Sequence, residues 1–434
     1  MPSADRHLRD LELLERALGS DLPADPHANS CPSCRARIAG LAEGRTHLAD
    51  LQELLHDGVG NDAVTIPAAL SRLSGALARA EELVVAAETD DDAFAAALAD
   101  ASASAEFPEI ALHAVQIASR VPLRSPALAM RIAQTVREIL VGPRFAGSSF
   151  RDLAIGVCSL LEGQGLLYVG RSDEAVLCSR SALDELTLAG APDILVSRAR
   201  YYLGSALWGD ARYADALILL AEAREGFARD EQVSWVGRTD AAIGLVHFSE
   251  ARFDQALRAF DSALARLDAE VDPGPVASTQ QNRAGILMNL GRLAEARAAF
   301  GEALELALRA GLQASAATIR VNLLGLGLDE GHFEDVRTRG ERLVAQCVRD
   351  GLDVDAYYAR LALAEAHAAL GNYGAVRELV DAIRENAPSE VRDDPDASAL
   401  LSRLDAGDHE IAHRLRRLRH YLSGRDRFEA AREA

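Results

Sequence analysis

The chain contains no lysine, so arginine supplies every basic side chain other than histidine. Its 46 basic residues stand against 66 acidic ones, which gives a formal net charge of -20. Nucleic-acid-binding domains carry concentrated positive charge. The charge balance therefore argues against a nucleic-acid partner, whereas the lack of lysine fits a GC-rich coding sequence and has no bearing on mechanism.

Long apolar segments are also missing. A membrane-spanning helix needs about 18 or more largely apolar residues in succession, and no such run occurs in the sequence. The first residues, Met-Pro-Ser-Ala-Asp-Arg-His, lack the apolar core of a signal peptide. We expect a soluble, cytoplasmic protein.

Cysteine is scarce, and familiar catalytic motifs are absent. Five cysteines in 434 residues are too few for a disulfide framework. Cys158, Cys178 and Cys347 occur singly in segments of helical periodicity, and we interpret them as small apolar residues. There is no P-loop, nucleotide-binding glycine motif after a strand, H-E-x-x-H or G-x-S-x-G. We predict that the chain is not an enzyme.

What the sequence does contain is a turn that recurs with an almost constant period of about 40 residues. Its six copies begin at Gly170, Ala211, Ala251, Gly291, Gly331 and Gly371. Apolar residues with helical spacing precede and follow each turn, so each period predicts one helical hairpin.

Small residues recur where the two helices of a hairpin must cross. Four small residues of the first helices each precede an Ala of the second helix by 12 residues. The pairs are Gly163–Ala175, Gly204–Ala216, Gly244–Ala256 and Ala284–Ala296. Large side chains at either place would separate the helices. The fifth and sixth hairpins carry Leu324–Val336 and Ala364–Val376 instead, so we expect different packing there.

This pattern resembles the tetratricopeptide (TPR) repeat, with the hairpin lengthened from its usual size of about 34 residues to about 40 residues. The resemblance covers about half of the chain and implies an all-α, right-handed TPR-like α-solenoid of six to seven hairpins. Solenoids of this kind mostly hold partner proteins. We assign the array to residues 150–388.

The N-terminal segment carries the only motif with metal-ligand spacing, His27-Ala-Asn-Ser-Cys31-Pro-Ser-Cys34. Two thiolates at the start of a helix and a nearby imidazole can supply three ligands of a tetrahedral Zn²⁺. His7, on the preceding predicted helix, is the best candidate for the fourth. The alternative is a free thiol pair beside an ordinary loop histidine, with reversible disulfide formation as a variant of the zinc interpretation.

The arrangement of helix, H-x-x-x-C-x-x-C and helix resembles the zinc-binding anti-sigma factor domain of bacteria. The resemblance covers only the N-terminal segment of the chain, and we assign it to residues 1–58. It implies that His27, Cys31 and Cys34 ligate zinc and that the module binds a sigma factor. In that family a membrane helix or a short wrapping helix usually follows, whereas a repeat array follows here.

Two helical segments flank the array. Residues 62–141 predict a helical linker and a degenerate leading repeat, in which Asp90-Asp-Asp caps a helix; a metal site is the alternative interpretation of these acids. Residues 396–423 predict C-terminal capping helices, and Ile411, Leu415, Leu418 and Leu422 lie on one face of the last helix. A polar-backed cap suits the open end of a solenoid. A docking or nucleic-acid-binding helix is the alternative.

In TPR arrays the first helix of each hairpin lines the partner-binding groove. Carried over to this sequence, that rule predicts a groove containing Arg198, Tyr201, Ser205, Trp208, Arg238, Phe248, Gln281 and Met288. Arginines among aromatic rings favour an acidic peptide or helix. The alternative is that Trp208 and Phe248 are buried against the next hairpin.

These patterns give two leading functional hypotheses. One is a cytoplasmic interaction scaffold that regulates transcription, with a sigma factor at the N-terminus and another protein in the groove. The other is a plain TPR adaptor or peptide receptor unrelated to transcription. An enzyme with an unrecognised site comes third.

Overall fold

The computed structural model describes residues 66–118, 125–148, 150–404 and 408–422. Throughout these ranges the regular secondary structure is helical, and the predicted all-α, TPR-like solenoid class is confirmed. None of the described helices is both long enough and apolar enough to cross a membrane. The proposed N-terminal module at residues 1–58 lies outside the described residues.

The chain divides into two compact units, the first ending at Arg212 and the second beginning at Tyr213. This division falls inside the array that we predicted over 150–388. The helices of the first unit are α1 (Ile66–Thr89), α2 (Asp91–Ala103), α3 (Phe107–Ala118), α4 (Pro126–Val141), α5 (Arg151–Tyr168), α6 (Ser172–Leu188) and α7 (Asp193–Gly209). As expected for a cap, the Asp90 side chain accepts a hydrogen bond from the Ala93 amide at 2.7 Å.

The second unit repeats one helical hairpin several times. Its helices are α8 (Tyr213–Arg229), α9 (Val233–Ser249), α10 (Phe253–Leu264), α11 (Pro273–Asn289), α12 (Leu293–Arg309), α13 (Gln313–Asp329), α14 (Phe333–Arg349), α15 (Asp353–Ala369), α16 (Tyr373–Glu385), α17 (Ser389–Arg392), α18 (Pro395–Ser402) and α19 (Asp408–Leu422). The hairpins are α9–α10, α11–α12, α13–α14 and α15–α16, and each occupies one period of the sequence repeat.

The six recurring turns share one backbone conformation. The first residue of every copy adopts a positive φ, between 57° at Ala211 and 77° at Gly170. At Gly291 the turn amide bonds to the carbonyl of Met288, and the next amide, of Arg292, bonds to that of Leu287. These two bonds satisfy the last carbonyls of the helix, in the Schellman pattern. Glycine adopts this conformation without strain, which explains its frequency at the turn.

The small residues predicted at helix crossings are needed for close packing. A β-carbon added at Gly244 would lie 2.6 Å from the Phe260 ring, and one at Gly163 would lie 2.5 Å from the Ser179 hydroxyl. In α13–α14 the close approach has moved, because a β-carbon at Gly327 would lie 2.7 Å from Val336. The packing of that hairpin therefore differs from its neighbours.

The C-terminal helix α19 packs on the last hairpin. Ile411, Leu415 and Leu418 are buried in one apolar cluster with residues of α15 and α16, and Leu422 is half-buried beside it. The apolar face predicted from the sequence thus covers the end of the repeat array.

Candidate functional site

In the first unit, four of the predicted partner-binding residues lie on α7. Arg198, Tyr201, Ser205 and Trp208 are all half-buried, and their spacing of three and four residues places them on one side of the helix. The Tyr201 ring meets the edge of the Tyr202 ring, with centroids 5.1 Å apart. Ser205 donates a hydrogen bond to the Tyr201 carbonyl at 2.9 Å, so this hydroxyl is bound within its own helix.

In the second unit, the positive charge of Arg238, which we assigned to the partner-binding groove, is compensated. Its guanidinium lies 2.6 Å from the Asp272 carboxylate and stacks over the Trp235 ring at 5.1 Å. Asp272 also accepts a hydrogen bond from Ser234. Because Asp272 balances the charge, an acidic partner gains little attraction at this point.

Two further predicted residues serve the packing of the hairpins. Met288 is only 8% exposed and belongs to the apolar core around α11 and α12, so its assignment to an open groove is corrected. Phe248 packs against a buried cluster containing Phe260 and Ile286, and meets the Phe253 ring with centroids 6.2 Å apart. Gln281 is half-buried on α11.

A continuous face can be followed along the first helices of the second unit, because these helices begin one repeat period apart. We call the sixth, ninth and thirteenth residues of each first helix the A-helix face. It comprises Arg238, Ala241 and Leu245 on α9; Ser278, Gln281 and Gly285 on α11; Thr318, Val321 and Gly325 on α13; and Tyr358, Leu361 and Glu365 on α15.

Burial of this face changes along the unit. A β-carbon added at Gly285 would meet nothing within 4 Å, so the face is open at α11. At the equivalent Gly325 the nearest group is the Arg419 guanidinium of α19, 3.7 Å away. At α15 the equivalent Glu365 is buried, and Leu361 lies in the cluster with Leu415 and Leu418. Helix α19 therefore covers the A-helix face of α15 and stops before α11.

Buried ion pairs fix α19 in this position. Arg419 lies 2.7 Å from the Glu365 carboxylate and 2.9 Å from that of Asp329, at the end of α13. Arg416 contacts Glu365 from the same side at 3.1 Å. Burial lowers the pKa of Arg419, but the Glu365 and Asp329 carboxylates raise it by more, so it stays above its usual value. Every member of this buried network is thus paired.

Sequence reasoning missed this network, although a signal for it was present. The signal lies at the thirteenth residue of the first helices. This residue is uncharged in α7, α9, α11 and α13, but in α15 it is the carboxylate Glu365; the uncharged residues are Ser205, Leu245, Gly285 and Gly325. Arg416 and Arg419 are three residues apart on the polar side of α19, so they can reach the same group. A carboxylate at a repeat position otherwise uncharged predicts a specific partner.

The remaining chemical predictions have separate outcomes. Cys158 and Cys347 are buried and Cys178 is half-buried, all as free thiols. Burial raises the pKa of Cys178 to about 11, which favours the protonated thiol over the nucleophilic thiolate. The proposed zinc ligands His7, His27, Cys31 and Cys34 lie outside the described residues.

Comparison with known proteins identifies the fold. No family model matches the chain, and no curated protein matches its sequence. Among solved structures, the chain is similar to the apo form of RapI, with 13% identity, a TM-score of 0.53, and coverage of 74% of this chain and 88% of that one. It is equally similar to a Rap protein complexed with competence and sporulation factor, with 14% identity, a TM-score of 0.53, and coverage of 76% and 98%. The chain thus shares a TPR-like helical-repeat fold with these proteins.

Proposed function

We propose that this chain is a protein-interaction scaffold that binds a peptide or helical segment of a protein partner on its A-helix face. One observation carries the proposal: α19 already occupies that face at α15, with an apolar stripe in the groove and an arginine on Glu365. Helix-in-groove recognition uses this combination of apolar anchors and a few charged contacts. The open continuation at α11 is then the place for a separate segment.

The Rap comparison supports this proposal through the shared fold, since one of those Rap proteins is complexed with competence and sporulation factor. Of our two leading hypotheses, a peptide receptor unrelated to transcription is therefore favoured. Sigma-factor binding rests on residues 1–58, and no observation on the described residues favours it.

Gly285 offers a direct test, because a β-carbon added there would meet nothing within 4 Å and a larger side chain would extend over the A-helix face. Gly285→Trp should therefore fold normally yet obstruct the A-helix face. Gly301 lies on the second helix α12, is exposed, and is equally unobstructed. Gly301→Trp is thus a matched control that adds the same side chain away from the A-helix face.

The experiment is selection of peptides from a random display library against the full-length protein, followed by affinity measurement on the variants. Peptides that bind the wild type and Gly301→Trp should lose at least tenfold in affinity for Gly285→Trp. Circular dichroism checks that both variants keep their helical content. Equal binding to Gly285→Trp, or failure to select any peptide, refutes the proposal.

A further inference from the structure

Hairpin α13–α14 contains a cavity of about 270 Å³ that lies apart from the A-helix face. It is lined by residues of α12, α13 and α14 and is partly open to solvent, and its apolar floor consists of Leu304, Leu323, Leu324, Val336 and Leu343. Leu324 and Val336 occupy the two positions that hold small residues in the pairs Gly244–Ala256 and Ala284–Ala296. Larger side chains at these two positions change how the helices pack, and the cavity lies beside them.

Four arginines surround this apolar floor in a protein of net charge -20. Two of them are neutralised locally, since Arg297 pairs with Glu330 and Arg339 pairs with Asp335 at 2.8 Å. Among the described residues, Arg320 donates to the uncharged amide oxygen of Gln346 alone, at 3.2 Å. Arg342 is exposed, and neither it nor Arg320 has a carboxylate partner within the described ranges. The cavity therefore carries positive charge that the described residues do not balance.

We infer that this cavity binds a small amphipathic carboxylate, with the apolar body on the leucine floor and the carboxylate on Arg320 and Arg342. Guanidinium groups bind carboxylates through charge-assisted, commonly bidentate hydrogen bonds. The volume lies slightly below the range of about 300–1,000 Å³ typical of small-molecule sites, so a short acyl or single-ring acid suits it. This inference is independent of the proposed peptide-binding function.

Octanoate is a suitable probe, because it joins a carboxylate to a short apolar chain. Calorimetric titration into the full-length protein should give saturable binding at one site per chain. Octanol keeps the apolar chain and acetate keeps the charge, so each should bind at least tenfold more weakly than octanoate. Binding of octanol as tight as that of octanoate contradicts a role for the arginines.

Arg342→Gln removes one unbalanced charge from an exposed position and should weaken octanoate binding at least tenfold. Arg349→Gln is the matched control, since Arg349 is exposed on the same helix and does not line the cavity; it should leave the affinity unchanged. Gly285→Trp should also bind octanoate normally, which separates this site from the A-helix face. Absence of octanoate binding to the wild type, or full binding by Arg342→Gln, overturns the inference.

Discussion

The guanidinium Nε of Arg419 lies 2.7 Å from the Oε2 atom of Glu365, and both side chains are almost excluded from solvent, with exposed fractions of 11% and 2%. Fifty-four residues separate them in the chain. The pair joins α19 to the A-helix face at α15, the part of that face that α19 covers.

Removal of Arg419 should release α19. Arg419→Met leaves Asp329 and Glu365 buried with fewer partners, and breaking a buried ion pair from one side destabilises by about 3–5 kcal/mol. We expect about 3 kcal/mol, the lower end of that range, because Arg416 still contacts Glu365. Hydrogen exchange across residues 408–422 and urea unfolding measure the effect. Arg417→Met, at an exposed position of the same helix, is the control and should change little; equal protection in both variants contradicts the prediction.

The turn at Ala251 should be improved by glycine. Ala251 has a φ of 58°, and the left-handed conformation costs an L-residue with a β-carbon about 1–2 kcal/mol. Ala251→Gly removes that strain but makes the unfolded chain more flexible, so we expect a net stabilisation of about 0.5–1 kcal/mol. Thermal and urea unfolding provide the measurement. Gly291→Ala, at a φ of 74°, is the reciprocal change and should destabilise the protein. If Gly291→Ala stabilises the protein, the positive φ does not explain why glycine recurs at the turn.

The crossing at Gly244 should not tolerate a larger residue. A β-carbon there would lie 2.6 Å from the Phe260 ring, and overpacking of this kind typically costs about 1–3 kcal/mol. Gly244→Ala should therefore lower the free energy of unfolding by that amount. Gly301→Ala makes the same change at a helical position where the added β-carbon would meet nothing within 4 Å and should instead stabilise by about 0.5–1 kcal/mol. Both values come from urea unfolding, and a neutral Gly244→Ala contradicts the close-crossing model.

Zinc binding at the N-terminus remains a prediction from the sequence. Cys31, Cys34 and His27, with His7 as a fourth ligand, should hold about one Zn²⁺ per chain. Elemental analysis of protein purified without chelator measures the stoichiometry, and Cys34→Ser should abolish it. Cys178→Ser, at a half-buried free thiol in a repeat helix, should leave it unchanged. Wild-type protein without zinc disproves the zinc-finger interpretation. If His7→Ala still binds zinc, only the assignment of His7 as the fourth ligand is wrong.

The sequence by itself determined the repeat architecture, because its causes are local. The constant repeat period, the positive-φ residue that opens each turn and the small residues at Gly163 and Gly244 are all properties of one hairpin. Backbone strain and helix crossing act within such short segments. The apolar face of α19 was also readable, since helical spacing alone specifies it.

Only the tertiary structure decided which residues remain open for a ligand. The repeat position of Met288 predicted that it lines the groove, but the residue is buried. Asp272, just before α11, neutralises Arg238 on α9. Glu365 is covered because Arg419, far along the chain, reaches it. Burial and ion pairing depend on which helices meet in space, and a repeat pattern gives every hairpin the same prediction although its neighbours differ.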